Sequence, residues 1–387
     1  MNKVWGKIGP LMALSMVFCV SYAKADEKTN KHSRFQKKRA EKKQEDSPRV
    51  DQNEVITNQP ITPSGNPFGS GPDFFIQAEA LYLRATEDNL NAGLKTQAPL
   101  ASNFINGPSV NADYDWRWGA RGALGFNTGH DGWDLSWKWL WFRSNHNQNH
   151  AANATTNLFL QSVATFNPVG SPVGSEVFVS ATSLSTKLRL LVNVGDFELG
   201  REFFISKWLK LRPHLGARGV WISRNLYTRT GGFVNLNASG TNKADSEINS
   251  NTTLVKQEYK VHLHGGGMYL GLNTDWGFAK GWSIFGLFDQ SLIYGRNHVT
   301  SSESQLDTGK AEYTRSQITN NQNVVRSITD LSLGLRWSHT FSNERFRLLL
   351  QAAWEEHLFY NFNEFNLSNR TGNLALTGAS FGARFDF

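Results

Sequence analysis

The chain is short of cysteine, of charge and of long apolar runs, and each shortage closes a class of protein. A single cysteine, Cys19, in 387 residues excludes a disulfide framework. No stretch of ~20 apolar residues occurs, so membrane-spanning helices are excluded. Charged residues make up 19%, below the ~25% usual for soluble globular chains. Basic excess is missing from most of the chain, although the net charge is +7. Lys3, Lys7 and Lys24 give residues 1–25 a charge of +3, and nine bases against five acids give residues 26–50 a charge of +4. The remainder is therefore neutral, which argues against an electrostatic nucleic-acid binder. Ring side chains and turn-makers are abundant instead: 26 Phe, 13 Trp and 34 Gly.

Residues 1–25 read as a secretory signal peptide. Lys3 and Lys7 form a charged start, Ile8 to Val20 a short apolar stretch, and Ala23-Lys24-Ala25 a small-x-small cleavage site. Cleavage there removes Cys19. Residues 26–50 are dense in Lys, Arg, Glu and Gln and cannot build a core. Pro60, Pro63, Pro67 and Pro72 with Gly65, Gly69 and Gly71 mark a linker. The expected organisation is a signal peptide (1–25), a disordered periplasmic segment (26–72) and a folded body (73–387).

Alternation with period two dominates the body. In 114–126, Tyr114, Trp116, Trp118, Ala120, Leu124 and Phe126 share one face, opposite Asp115, Arg117 and Arg121. In 133–141, Trp133, Leu135, Trp137, Trp139 and Trp141 oppose Asp134, Ser136 and Lys138. Similar runs occur at 74–84, 186–200, 210–222, 259–274, 282–295, 328–338, 346–355 and 374–387. In 186–200 the apolar face is Leu188, Leu190, Val192 and Val194, with Lys187 and Arg189 opposite, and Gly195 permits a change of phase. A bulge is expected at Gly265-Gly266-Gly267.

One face so aromatic and the other charged at many levels suits a membrane barrel, where apolar groups meet lipid and polar ones line the lumen. The fold expected is an all-β antiparallel transmembrane barrel of ten strong strands, with twelve or more left open. Weak extra candidates are 158–166, 177–184, 232–238 and 252–255, either as further strands or as extensions of existing ones. Connections at 127–132, 202–208, 275–281 and 341–345 are short, and those at 87–112, 144–183, 225–257, 297–325 and 359–373 are long. Outer-membrane barrels keep short turns in the periplasm and long loops outside. Trp133, Trp208, Trp276, Trp282 and Trp337 lie at the short turns, as a membrane girdle would.

The last strand ends Phe381-Gly-Ala-Arg-Phe385-Asp-Phe387. A terminal Phe on an alternating strand resembles the assembly signal of bacterial outer-membrane barrels, which implies the barrel assembly machinery as a partner. The body as a whole, roughly 74–387, resembles the pore-forming outer-membrane proteins of Legionella and the major-porin-like proteins of environmental relatives of the chlamydiae. The resemblance is carried by Asp196-Phe-Glu-Leu-Gly-Arg-Glu202, Leu211-Arg-Pro-His-Leu-Gly-Ala-Arg-Gly219, Ser291-Leu-Ile-Tyr-Gly-Arg296, Asp330-Leu-Ser-Leu-Gly-Leu-Arg336, Trp354-Glu-Glu-His357 and the final strand. It implies a channel in the outer membrane. The major porin of pathogenic chlamydiae cross-links through cysteines; a mature chain without cysteine departs from that type.

Catalytic and metal motifs are weak. Gly378-Ala-Ser-Phe-Gly382 matches a nucleophile elbow, but a strand continues where the helix must follow. His262 and His264 share a face without a third ligand in sequence, and read as lumen histidines. No enzyme, cofactor or metal is expected.

The expected lumen lining comprises the bases Arg117, Arg121, Lys138, Arg189, Arg212, Arg218, Arg336, Arg347 and Arg384, with His214. Its acids are Glu79, Asp115, Asp196, Glu198, Asp330 and Glu355. With Lys187, Lys260, Asp134, Asp289 and Asp386 added, eleven bases face nine acids. The function expected is passive diffusion of small hydrophilic solutes with mild anion preference, in contact with outer-membrane lipid. The alternative is a non-conducting surface barrel whose loops bind host or neighbouring molecules. A homo-oligomer is left open.

Overall fold

The computed structural model describes residues 73–88, 90–97, 108–128, 131–152, 156–161, 178–233, 252–341, 346–364 and 371–387. The leader and charged segment expected over 1–72 lie outside these residues. The strands are β1 (Asp73–Glu87), β2 (Asn91–Gln97), β3 (Ser109–Asn111), β4 (Trp116–Asn127), β5 (Trp133–Ala151), β6 (Thr156–Gln161) and β7 (Phe178–Arg201). They continue as β8 (Phe203–Phe204), β9 (Leu209–Phe233), β10 (Thr252–Ala279), β11 (Trp282–Asp307), β12 (Tyr313–Phe341), β13 (Phe346–Glu364) and β14 (Thr371–Asp386). No helix occurs among the described residues.

Ten of these strands close a ring in the order β1, β4, β5, β7, β9, β10, β11, β12, β13, β14, every neighbour antiparallel. They are the ten strands marked by alternation. The ring shuts where β14 pairs β1, from Phe75 opposite Asp386 to Glu87 opposite Leu374. Phe74 N donates to Phe387 O over 3.0 Å and Phe387 N to Phe74 O over 2.9 Å, so the terminal residue sits on the seam. The outer addition is small: β6 pairs β7, β2 pairs β6 and β3 pairs β2.

The short connections fall at one end. The tightest is Lys280-Gly281 between β10 and β11, where Gly281 takes φ 77°, a conformation that a side chain disfavours. At the other end the strands run much further than the hydropathy pattern marks. Of the connection expected at 297–325, only 308–312 stays outside strands. The described parts of the weak candidates (158–161, 178–184, 232–233 and 252–255) lie in β6, β7, β9 and β10. They lengthen walls instead of adding strands to the ring. These stretches are rich in Ser, Thr, Asn and Gln, which a sheet tolerates once its outer face leaves the lipid.

The outer face carries the aromatic and aliphatic set. Trp118, Leu333 and Met268 are 61%, 65% and 73% exposed, and Trp116 and Trp139 are exposed with them. Around the short-turn end Trp208, Trp276 and Trp282 are exposed, and Trp337, opposite Trp282, stacks on His339. Trp133, opposite Arg201, is half-buried. Phe381 and Phe385 share this face. Exposed apolar side chains over a whole cylinder need hydrocarbon around them. Placing a guanidinium there tests this: Leu333→Arg is expected to destabilise the barrel by about 2–4 kcal/mol in urea unfolding from lipid vesicles. Arg at Trp337, on the boundary, is expected to cost about 0–1 kcal/mol.

Two expectations about phase are corrected. No bulge occurs at 265–267; pairing with β9 and β11 runs through it without a shift. Glycine shows no face in the sequence, which hid the continuity. No phase change occurs at Gly195 either. Leu188, Leu190, Val192 and Val194 point inward on β7 and are buried, as do Asp196 and Glu198 below them. Side-chain parity is constant; the surroundings of the inner face change along the strand.

Candidate functional site

The inner surface has a charged zone near the short turns and an apolar zone above it. The alternation of each strand delivers both. On β5, Asp134, Ser136 and Lys138 give way to Leu140 and Phe142. On β1, Gln77 and Glu79 give way to Leu81, Leu83 and Ala85.

In the charged zone one chain of side chains crosses the lumen. Arg218 on β9 grips Asp196 on β7 with two bonds, Nε to Oδ1 at 2.7 Å and Nη2 to Oδ2 at 2.9 Å. Its Nη1 reaches Asp330 on β12 at 2.5 Å and Ser291 at 3.3 Å, and its guanidinium lies 4.8 Å from the Tyr269 ring centroid. His357 on β13 bridges Asp330 at 2.8 Å and Glu355 at 3.3 Å. Glu355 then pairs with Arg121 on β4, and Arg121 Nε donates to Glu79 on β1 at 2.8 Å. Gly382 stands between Glu79 and Gln351, and a Cβ there would meet both side chains. Its bareness lets Gln351 Nε2 donate to Glu79 across β14 at 3.0 Å.

A second group surrounds the buried Glu198. Lys138 Nζ and Tyr269 Oη donate to its Oε2 at 2.6 and 2.8 Å, and Arg212 pairs with both Glu198 and Asp134. His214 Nε2 lies 2.7 Å from Asp289 Oδ1. Gly271 faces this pair, and any Cβ would collide with both partners. Nearer the short turns, Arg336 pairs with Asp275 at 2.6 Å, Lys210 with Glu202 at 2.9 Å and Arg384 with Asp386 at 2.6 Å.

These groups enclose a cavity of about 170 Å³. That is room for roughly ten waters. Its lower rim (Glu202, Lys210, Arg336, Arg384) is partly exposed, whereas its roof (Leu140, Val194, Ile328, Phe359, Leu376) is buried. The cavity is a vestibule open toward the short turns.

Above the roof the lumen is apolar and filled. Leu81, Leu83, Phe142, Val192, Val220 and Leu374 have no exposed surface. Ile222, Leu263, Ile293 and Phe362 are 1–5% exposed. Nine of the ten ring strands contribute, and β4 supplies the buried Gly119, against which Phe142 packs. Higher still, Arg224 is buried beside Glu87 at 3.1 Å, and Tyr114 Oη donates to Glu87 at 2.9 Å.

The expected lining residues Glu79, Arg121, Lys138, Asp196, Glu198, Arg212, Arg218, Asp330, Arg336, Arg347, Glu355 and Arg384 lie on the vestibule wall. His214 stands just behind it, against Asp289. Asp115 and Arg117 do not line it. They pair with each other at 3.0 Å, and Asp115 meets His146 at 2.9 Å, half-exposed where β4 parts from β5. Arg189 is corrected to the outer face, opposite Asn145, with Lys187. The reason is that Leu188 and Leu190 fill the apolar layer, and the parity of β7 then turns their neighbours outward. His262 and His264 are also outside, with Val261 and Leu263 buried between and beside them. Among the described residues no group of three or more side chains could hold a metal.

Sequence reasoning missed Tyr269, His357, Asp275, Lys210 and Glu202. His357 lies two residues from Glu355 on the same alternating face, a signal that was there to use. Tyr269 follows the glycine run that hid its phase. Asp275, Lys210 and Glu202 fell at the margins of expected turns.

A family model described as Legionella pneumophila major outer membrane protein precursor matches residues 70–387. A search of curated proteins finds no match. Among solved structures, the Pseudomonas putida toluene transporter TodX is similar at 6% identity, over 82% of this chain and 89% of that chain, with a TM-score of 0.21. A Pseudomonas aeruginosa FadL homologue is similar at 8% identity, over 86% and 96%, with a TM-score of 0.24. Vibrio cholerae OmpT in its trimer form is similar at 9% identity, over 82% and 99%, with a TM-score of 0.17. Scores so low carry no residue, pairing or ligand from those proteins to this one.

Proposed function

We propose, from the premise that the chain belongs to the Legionella pneumophila major outer membrane protein family, that this outer-membrane barrel is a channel held closed by its apolar layer. Small hydrophilic solutes pass when that layer yields, and the resting barrel is not a standing pore. The observation that carries this reading is the abutment of a charged vestibule of about 170 Å³ on a filled apolar layer in one lumen. An apolar constriction gates by dewetting, because ions and sugars lose hydration there without replacement. A barrel of about eight strands is filled by side chains while sixteen leave a channel, and ten strands sit near the filled limit.

The mild anion preference loses its basis. Lys187, Arg189 and Lys260 all face outward, and the vestibule wall holds eight bases and eight acids. The open state is therefore expected to discriminate little by charge sign. Transport of small polar solutes, and delivery to the membrane by barrel assembly machinery acting on the Phe387 strand, are parts of the same proposal.

The experiment is liposome swelling with sugars of graded size, alongside conductance in planar bilayers. The expected wild-type result is little swelling and long closed periods interrupted by brief openings with a reversal potential near zero in a salt gradient. Rapid standing swelling with small sugars would overturn the closed state. Complete silence favours the second reading, a non-conducting surface barrel, which the continuity of the apolar layer supports.

A further inference from the structure

The outer face changes character sharply above the aromatic band on one side of the barrel. On β5 the outward residues Trp133, Leu135, Trp137, Trp139 and Trp141 span nine positions, and Arg143 is the next outward residue. Nine positions on a strand tilted by roughly 40° cover about 20 Å, close to one apolar band. Arg143 therefore stands at the level where lipid chains end and headgroups begin, in the leaflet opposite the short turns. On β7, Leu191 faces Arg143, and the next outward residues above it are Arg189, opposite Asn145, and then Lys187, opposite Asn147.

Three cations are thus gathered on two neighbouring strands. Arg143 and Arg189 are diagonal partners across the ladder, roughly 7–8 Å apart. None of the three has an ion pair or side-chain hydrogen bond among the described residues. Their outward neighbours Asn145, Asn147, Asn193, Asn225 and Tyr227 are uncharged, and Arg229, diagonal to Lys187, is a further outward cation. On β10 the outward acid Glu258, opposite Tyr227, is already bonded to Lys260 at 2.9 Å and Asn225 at 2.9 Å. Directly beneath, Trp139 stacks on Trp221 with ring centroids 5.6 Å apart. The opposite side of the barrel differs: there Glu356 is exposed on β13.

Like charges this close repel unless an anion lies between them. The site is a cation triad over a tryptophan floor, at headgroup height, on a surface that faces lipid. We infer that Arg143, Lys187 and Arg189 bind the phosphate of an outer-leaflet glycolipid whose acyl chains lie on the Trp139, Trp141 and Trp221 surface. Guanidinium forks match phosphate oxygens in pairs, and the indoles take the chain region below. The site is separate from the lumen, so it stands whether or not the barrel conducts.

The test uses the full-length protein in mixed vesicles of phosphatidylcholine with either diphosphorylated lipid A or the same glycolipid stripped of both phosphates. Retained glycolipid per protein is counted by mass spectrometry after detergent extraction. The wild type is expected to retain the phosphorylated form and release the stripped one. R143Q/K187Q/R189Q is expected to retain roughly tenfold less or lower still. Glu356→Gln, on the other side, should leave retention unchanged. Equal retention of both glycolipids by the wild type overturns the proposal, whatever the folding of the triple variant. Displacement by millimolar inorganic phosphate, with no dependence on acyl chains, would make the triad a free-anion site and also overturn it.

Discussion

Phe142→Ala combined with Phe359→Ala is expected to convert a nearly silent barrel into one with standing conductance. Phe359 belongs to the vestibule roof, and Phe142 lies in the apolar layer above it, with no exposed surface. Removing both rings opens space from the charged vestibule toward the outer polar zone around Arg224 and Glu87. Once water can occupy that space, the hydration penalty that closes the lumen disappears. The substitutions carry a stability cost of about 3–5 kcal/mol each. Heat-modifiable gel mobility should therefore be recorded beside conductance. Phe142→Leu keeps the layer apolar and nearly full, and is expected to stay closed. A folded double variant that carries no current would show that no route runs through the lumen, leaving the surface-barrel reading.

The strand count and the outward aromatic face were legible because hydrocarbon leaves a plain mark: Trp, Leu and Phe at every second position, as in Trp133 to Trp141. The charged vestibule was legible for the same reason, since Arg218 or Glu198 could not face lipid unpaired. The upper half of the barrel was misread because period two does not say which face is wet. Leu188, Leu190, Val192 and Val194 alternate with Lys187, Arg189 and Asn193 as neatly as any membrane strand. From the headgroup level upward, however, the wall meets polar surroundings, so the polar residues turn out and the apolar ones fill the interior. The signal was the inversion of hydropathy phase at Gly195, which reflects a change of medium and not of side-chain direction. The same inversion moves His262 and His264 outside. It also accounts for the apolar filling of the lumen and for the outer cations, two features that composition alone does not suggest. Ser- and Thr-rich strands such as the upper part of β11 passed for loops because their outward residues meet solvent, while Ser301, Glu303 and Gln305 are buried inside.

Arg218→Met is expected to cost more stability than any other single change in the vestibule, about 3–5 kcal/mol. Arg218 is 5% exposed and is held by Asp196, Asp330 and Ser291 together. Its loss leaves two buried carboxylates facing one another with their main counter-charge gone, and the penalty is their uncompensated desolvation. Urea unfolding from vesicles reads the effect. Arg218→Lys should recover only part of it, because an ammonium cannot make the paired bonds to Asp196 that the guanidinium fork makes. R218M/D196N/D330N should recover most of it, because removing the whole charge set also removes the orphaned anions. That pattern separates two accounts of the charged chain. If its ion pairs were themselves the source of stability, the triple variant would be as weak as the single one. If instead they neutralise charges retained to keep the vestibule wet, the triple variant will be stable, with fewer fixed charges around its water. The second account fits the layout, since the apolar layer above already shows that this barrel can fill its lumen without charge.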